Sequence, residues 1–175
     1  LLDIKLQHED LSMLTEKYPV KLYILNNIPF SLDYKRALVL ANSYDKSSLE
    51  SFIQVMMEDK AHVKHVKVIS KCYNKNNGYS AYLESISPLK GSITEVMLKH
   101  NAYEFKEVIA NGLEHWIVLT NSVNGRRILD DLENKAAIIS IRRIKANELL
   151  KIMGEPALTN NEFKILKNSL LHGLL

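Results

Sequence analysis

"AYEFKEVIANGLEHWIVLT", residues 102–120, holds the pattern from which the fold can be read. Two β-rich runs flank Asn111-Gly112, a dipeptide suited to a two-residue hairpin turn with both residues at positive φ. The expectation is two antiparallel strands, 102–110 and 113–120. Upstream, "SAYLESIS" (80–87) alternates as a strand, and "KGSITEVMLKHN" (90–101) sets Ile93, Val96 and Met97 on one helical face. Downstream, "NGRRILDDLEN" (124–134) does the same with Ile128, Leu129 and Leu132, and "AAIISIRRIKA" (136–146) reads as a strand. Residues 79–146 therefore spell β-α-β-β-α-β.

The first 72 residues repeat that order. "LLDIKLQH" alternates Leu2, Ile4 and Leu6 with polar residues, as a strand with one buried face does. "EDLSMLTEKYP" reads as a short helix through Leu11, Leu14 and Tyr18, stopped by Pro19. "VKLYILNNI" and "YKRALVLANS" are successive strands across a loop with Pro29 and Asp33. "DKSSLESFIQVMMEDK" is a helix using Leu49, Phe52, Ile53, Met56 and Met57, with Asp45 or Ser47 as its cap, and "HVKHVKVIS" closes the unit. Between the units, "KCYNKNNGY" is polar and reads as a linker. The two units share little residue identity, so the repeat is one of element order.

This order predicts an α+β protein of tandem ferredoxin-like (βαββαβ) units, 1–72 and 79–146, with two helices on one face of each sheet. C-terminal helices follow in 147–175. Two strands look apolar on both sides: Leu113, Ile117 and Leu119 oppose Trp116 and Val118, and Ile139 and Ile141 oppose Ile138 and Ile144. Strands of that kind imply a covered sheet. The other unit, sheet to sheet or side by side, could cover it, as could a second subunit, and a homodimer is expected.

The chain has 175 residues, 46% of them hydrophobic, a net charge of +3 and an isoelectric point near 8.8. That composition supports a core and argues against disorder, while the small basic excess does not single out nucleic acid. One cysteine, Cys72, excludes an internal disulfide framework and a multi-cysteine zinc site, so a cytoplasmic setting is expected. No run of about 18 apolar residues predicts a membrane span.

Chemistry-bearing residues are sparse. His62 and His65 lie three apart on an expected strand and point to opposite faces, which disfavours a shared metal. His8 ends the first strand beside Glu9 and Asp10, where the pattern accommodates a ligand pocket or a satisfied core histidine. In "PLKGSITEV", Lys90, Gly91 and Ser92 lie between strand and helix. They read either as a plain turn with a cap or as a carboxylate site on the helix's first amides. Ligand-binding modules of the ACT class use an equivalent turn, so the units look ACT-like. No P-loop, nucleophile elbow, HExxH or dinucleotide fingerprint occurs. No catalytic residue, cofactor or metal is expected. An enzyme would have to use His8 with Asp10.

The last stretch, "LTNNEFKILKNSLLHGLL" (158–175), reads as a helix with a Thr159/Glu162 capping box, an apolar stripe of Phe163, Leu166 and Leu170, and Gly173 at its end. It resembles the first helix of the archaeal bacterio-opsin-activator-type helix-turn-helix regulators. "GLEHWIVLT" adds a Gly-x-Glu-x-Trp core, Gly112, Glu114 and Trp116, similar to one in that family, and His8 sits where members often end a strand in His. The Cys-Trp that often follows there is absent. The resemblance implies the N-terminal regulatory part of a transcriptional regulator, sensing a small-molecule effector or dimerising. DNA would be bound through a C-terminal domain of which 158–175 is the start. The alternative is a stand-alone ACT-like module or allosteric subunit centred on Gly91 and Ser92.

Overall fold

The computed structural model describes residues 1–8, 11–75 and 78–144. Asp10 and the expected C-terminal helices of 147–175 lie outside them. The chain divides into compact units Leu1–Arg143 and Ile144–Leu175, and the fold below is that of the first.

Among the described residues, eight strands and four α-helices follow one another as the hydrophobic periodicities require. They are β1 (Leu2–Gln7), α1 (Leu14–Lys17), β2 (Lys21–Pro29), β3 (Tyr34–Ser43), α2 (Lys46–Glu58), β4 (His65–Asn74), β5 (Gly78–Pro88), α3 (Ile93–Lys99), β6 (Glu104–Ala110), β7 (Leu113–Leu119), α4 (Ser122–Glu133) and β8 (Ala137–Arg143). Helix starts are capped by short polar side chains: Asp45 accepts from Ser48 N, Ser92 from Glu95 N and Asn121 from Asn124 N. The first expected helix is shorter than its pattern, one turn of 3-10 helix at Leu11–Met13 followed by the four residues of α1.

All eight strands form one antiparallel sheet in the order β4-β5-β3-β2-β6-β7-β1-β8. The expected boundary between residues 72 and 79 does not divide two sheets. β1 lies between β7 and β8, and β5 lies between β4 and β3, so each of these strands sits among strands from the other half of the sequence. β2 and β6 then join the two halves edge to edge through Leu22↔Ile109, Tyr23↔Val108 and Ile24↔Glu107. The expected linker is instead a hairpin. Tyr73 faces Tyr79 and Asn74 faces Gly78 across β4 and β5. Gly78, at φ +74°, passes so close to Ser43 that a Cβ would lie 2.5 Å from its carbonyl oxygen.

Two cores lie on the same face of the sheet. Cross-strand partners Val39↔Ile24↔Glu107↔Trp116↔Ile4 run straight across both halves on that face. Over one half, Leu49, Phe52, Ile53 and Met56 of α2 pack on Leu22, Val39, Ala81 and Leu83, with Leu14 and Tyr18 beside them. Over the other, Ile93, Val96 and Met97 of α3 and Ile128 and Leu132 of α4 pack on Leu2, Ile4, Leu6, Trp116 and Val118. Side chains of α1 and its C-cap thus join one core and those of α3 the other, although each helix follows a strand in the opposite half of the sheet.

Among the described residues the second face carries no helix. β7 is buried on one face alone, through Glu114, Trp116 and Val118. Leu113, His115 and Ile117 are half-buried by neighbouring strands, and Leu119 is exposed. The second repeat extends the sheet sideways and does not cover it. Ile28 and Leu38 add exposed apolar surface to this face.

Candidate functional site

The two cores do not meet. Between Met56 of α2 and the turn before α3, a cavity of about 310 Å³ remains above β2, β3, β5 and β6. Its apolar wall is Leu22, Ile24, Val39, Met56 and Ile109. Its polar lining is Asn27, Lys35, Ser85, Ser87, Glu107, His8, His62, Lys90, Gly91 and Ser92. Four of the five sequence candidates, His8, Lys90, Gly91 and Ser92, come from two distant stretches and line this one space. The fifth, Asp10, lies outside the described residues.

Register sets the floor. Lys35 faces Ser87 and Ala37 faces Ser85 on β5, while Ala37 faces Asn27 on β2. Ser85 and Ser87 are only 4% and 9% exposed, line the cavity, and have no side-chain hydrogen-bond partner among the described residues. Their hydroxyls open onto the cavity, so both are available to a molecule that occupies it. Asn27 Nδ2 donates to Thr94 Oγ1 at 2.8 Å, and Lys35 Nζ donates to the same oxygen at 2.9 Å. The Asn27 Oδ1 oxygen is buried with no partner among the described residues. Thr94, fully buried at the start of α3, therefore fixes both floor groups from above.

The Gly91-Ser92 turn works differently from its anion-site reading. Gly91 N donates to Glu95 Oε2 at 2.9 Å, Glu95 N donates to Ser92 Oγ at 3.2 Å, and Ser92 Oγ donates to Leu89 O at 2.7 Å. These groups are spent on the turn itself, and α3 is only seven residues long. The Gly91 amide, followed by Lys135, holds the Glu95 carboxyl below its ordinary range. Lys90 leans outward to Asp33, 2.9 Å away, and this contact raises its pKa.

His8 approaches Glu114, with Nδ1 3.7 Å from Oε1, and the other Glu114 oxygen accepts from Trp116 Nε1 at 2.7 Å. Glu114 is 1% exposed, and Glu107, the β6 partner of Trp116, is also buried. Gly112 forms the hairpin corner with Asn111, at φ +72° and +52°, and its N–H donates to Thr15 Oγ1. Within this fold, Gly112, Glu114 and Trp116 make a turn and a buried hydrogen bond. His62 does not sit on a strand with His65. It lies in the turn after α2, bonded to Asp59 at 2.8 Å, and faces the cavity mouth. Burial pushes the Asp59 carboxyl up, but hydrogen bonds from the His62 ring and amide outweigh it and leave the pKa lowered.

His100 and His115, single in the sequence, each meet a distant carboxylate, Asp131 and Asp3. No group of three metal-ligating side chains occurs among the described residues, and no helix there is long and apolar enough to cross a membrane. Lys35, Ser85, Ser87 and Asn27 escape the sequence reading because alternation marks them simply as inward positions. An inward Lys or paired inward serines in otherwise apolar strands is the available signal. Comparison with known proteins finds no matching family model, curated protein or solved structure.

Proposed function

We propose that the chain is a small-molecule sensing module whose effector occupies the cavity between the two cores. One observation carries the reading: two serine hydroxyls and a buried amide oxygen, all without partners among the described residues, belong to side chains that line one metabolite-sized space. The cavity lies where the halves join, so a ligand touching β2, β3, β5 and the turn before α3 would bias how firmly they are held together. The test is a thermal-shift screen of the 175-residue chain against a metabolite library. A specific effector raises Tm with dose, and Ser85→Leu, which fills the cavity, removes that rise. A library without a stabilising compound, or one whose hits ignore Ser85→Leu, defeats the reading.

The finer fold reading accompanies it: two ferredoxin-like, ACT-like repeats with exchanged first strands. In such a unit the first strand lies between the third and the fourth. Here β5 holds that place between β3 and β4, and β1 holds it between β7 and β8, which supports the reading.

The output we propose is transcriptional. The resemblance of Gly112, Glu114, Trp116 and the 158–175 stretch to the bacterio-opsin-activator-type regulators supports a cytoplasmic homodimer that controls DNA binding by a C-terminal helix-turn-helix domain. The 175-residue chain then gives no sequence-specific gel shift at physiological salt, whereas the full gene product shifts operator DNA in an effector-dependent way. A gene product with no recognition helix after 158–175 would sink this output and favour the stand-alone module. A monomer by light scattering at tens of micromolar would remove the dimer.

A further inference from the structure

We infer that the ligand is a small amphipathic carboxylate with an amino or hydroxyl group beside its acid, an inference that rests on the cavity being the ligand site. The floor is polarised. Lys35 Nζ has Thr94 Oγ1 as its acceptor, and no carboxylate pairs with it among the described residues. Two of its three N–H groups therefore remain for a ligand. Ser87 is its direct neighbour across β3 and β5, and Ser85 follows two residues away on the same face. One ammonium and two hydroxyls make a donor-rich end suited to a carboxylate.

At the other end the requirement reverses. The Asn27 Oδ1 oxygen is a buried acceptor, so it selects a ligand N–H or O–H. Between the two ends lies Ala37, the small residue that pairs with both Ser85 and Asn27. An acid and a donor on adjacent carbons can span that gap. Beyond Asn27, Ile24, Val39 and Met56 offer apolar surface for a hydrocarbon tail, with Glu107 as the polar residue opposite Ile24. A phosphate ester fits less well, because Lys90 is engaged by Asp33 and leaves Lys35 to offset a dianion.

The experiment is calorimetry on the full 175-residue chain with four probes of one branched six-carbon skeleton: leucine, 2-hydroxy-4-methylpentanoate, 4-methylpentanoate and leucinamide. At least one of the first two binds saturably. The plain acid, without a donor for Asn27, and the amide, without the anion, each bind roughly tenfold or more weakly. Lys35→Met weakens the acids by a similar factor, and Lys35→Arg restores part of it. The apo Tm of each variant is measured alongside, so that lost binding is not mistaken for lost folding. Ser85→Ala, which removes an unpartnered hydroxyl, keeps or raises the apo Tm while weakening the acids. Equal binding of leucinamide, or indifference to Lys35→Met, overturns the ligand class. If none of the four binds while a library compound stabilises the chain in a Ser85-dependent way, the class falls and the sensing reading stands. If nothing binds, both fall.

Discussion

Gly112 is the residue on which the β6–β7 corner depends. At φ +72° a side chain is strained, and a Cβ would collide with the Glu16 side chain. Gly112→Ala should destabilise the protein by about 1–3 kcal/mol in urea unfolding. Asp45 acts through charge. Hydrogen bonds from the Ser48 and Ser47 side chains and from the Ser48 amide lower its pKa to about 2. A lowered folded pKa means that the stabilisation is present above the unfolded carboxyl value and is lost as pH falls through the folded one. The Tm difference between wild type and Asp45→Ala should therefore be largest above about pH 5 and shrink steadily towards about pH 2. A difference that stays constant over that range would show that the cap works without its charge.

At the scale of elements, β7 shows how a strand can carry a polar anchor inside an apolar core. Trp116 Nε1 donates to a Glu114 carboxylate that is almost wholly buried, two residues away on the same face. Trp116→Phe keeps the ring packing, including the contact with Phe105 at 5.7 Å, and deletes that donor. It should cost about 1–3 kcal/mol, measured by denaturant unfolding with circular dichroism as the probe. Elements of this kind are legible in the order of residues. Period-two alternation locates β1 and β3, and the Asn111-Gly112 pair locates the β6–β7 turn. The second Asn-Gly pair, at 77–78, reads as a linker. Its upstream flank, "KCYN", is polar because β4 is largely exposed beyond Val66. An edge strand lacks the apolar alternation that announces a hairpin.

For the whole molecule, partner choice among strands lies beyond what the sequence pattern specifies. β1 and β5 are both alternating strands that precede a helix, and nothing in "LDIKLQ" or "YSAYLES" dictates which repeat's third strand each should join. The cavity inherits the same difficulty, since Lys35, Asn27 and Ser85 become neighbours only once β5 sits against β3. Exchange also makes a mechanical prediction. Phe52 belongs to one core and Trp116, the single tryptophan, to the other. Phe52→Ala should cost about 3–5 kcal/mol, and it should move the midpoint seen by Trp116 fluorescence as far as the midpoint seen by circular dichroism. Two separate transitions would mean that the halves melt independently in spite of their shared strands.

The exchanged strands also bear on how the chain is made. Synthesis runs from the N-terminus, and β1 is finished while β7 and β8, its two neighbours in the sheet, have yet to be translated. The half that contains β4, β5, β3 and β2 is complete in strands as soon as β5 emerges, with β1 left over. The nascent chain must therefore hold an apolar ribbon in reserve, kept from the slot that β5 will take. Ribosome-bound intermediates that stop after Pro88 are where a chaperone should be found gripping Leu2, Ile4 and Leu6.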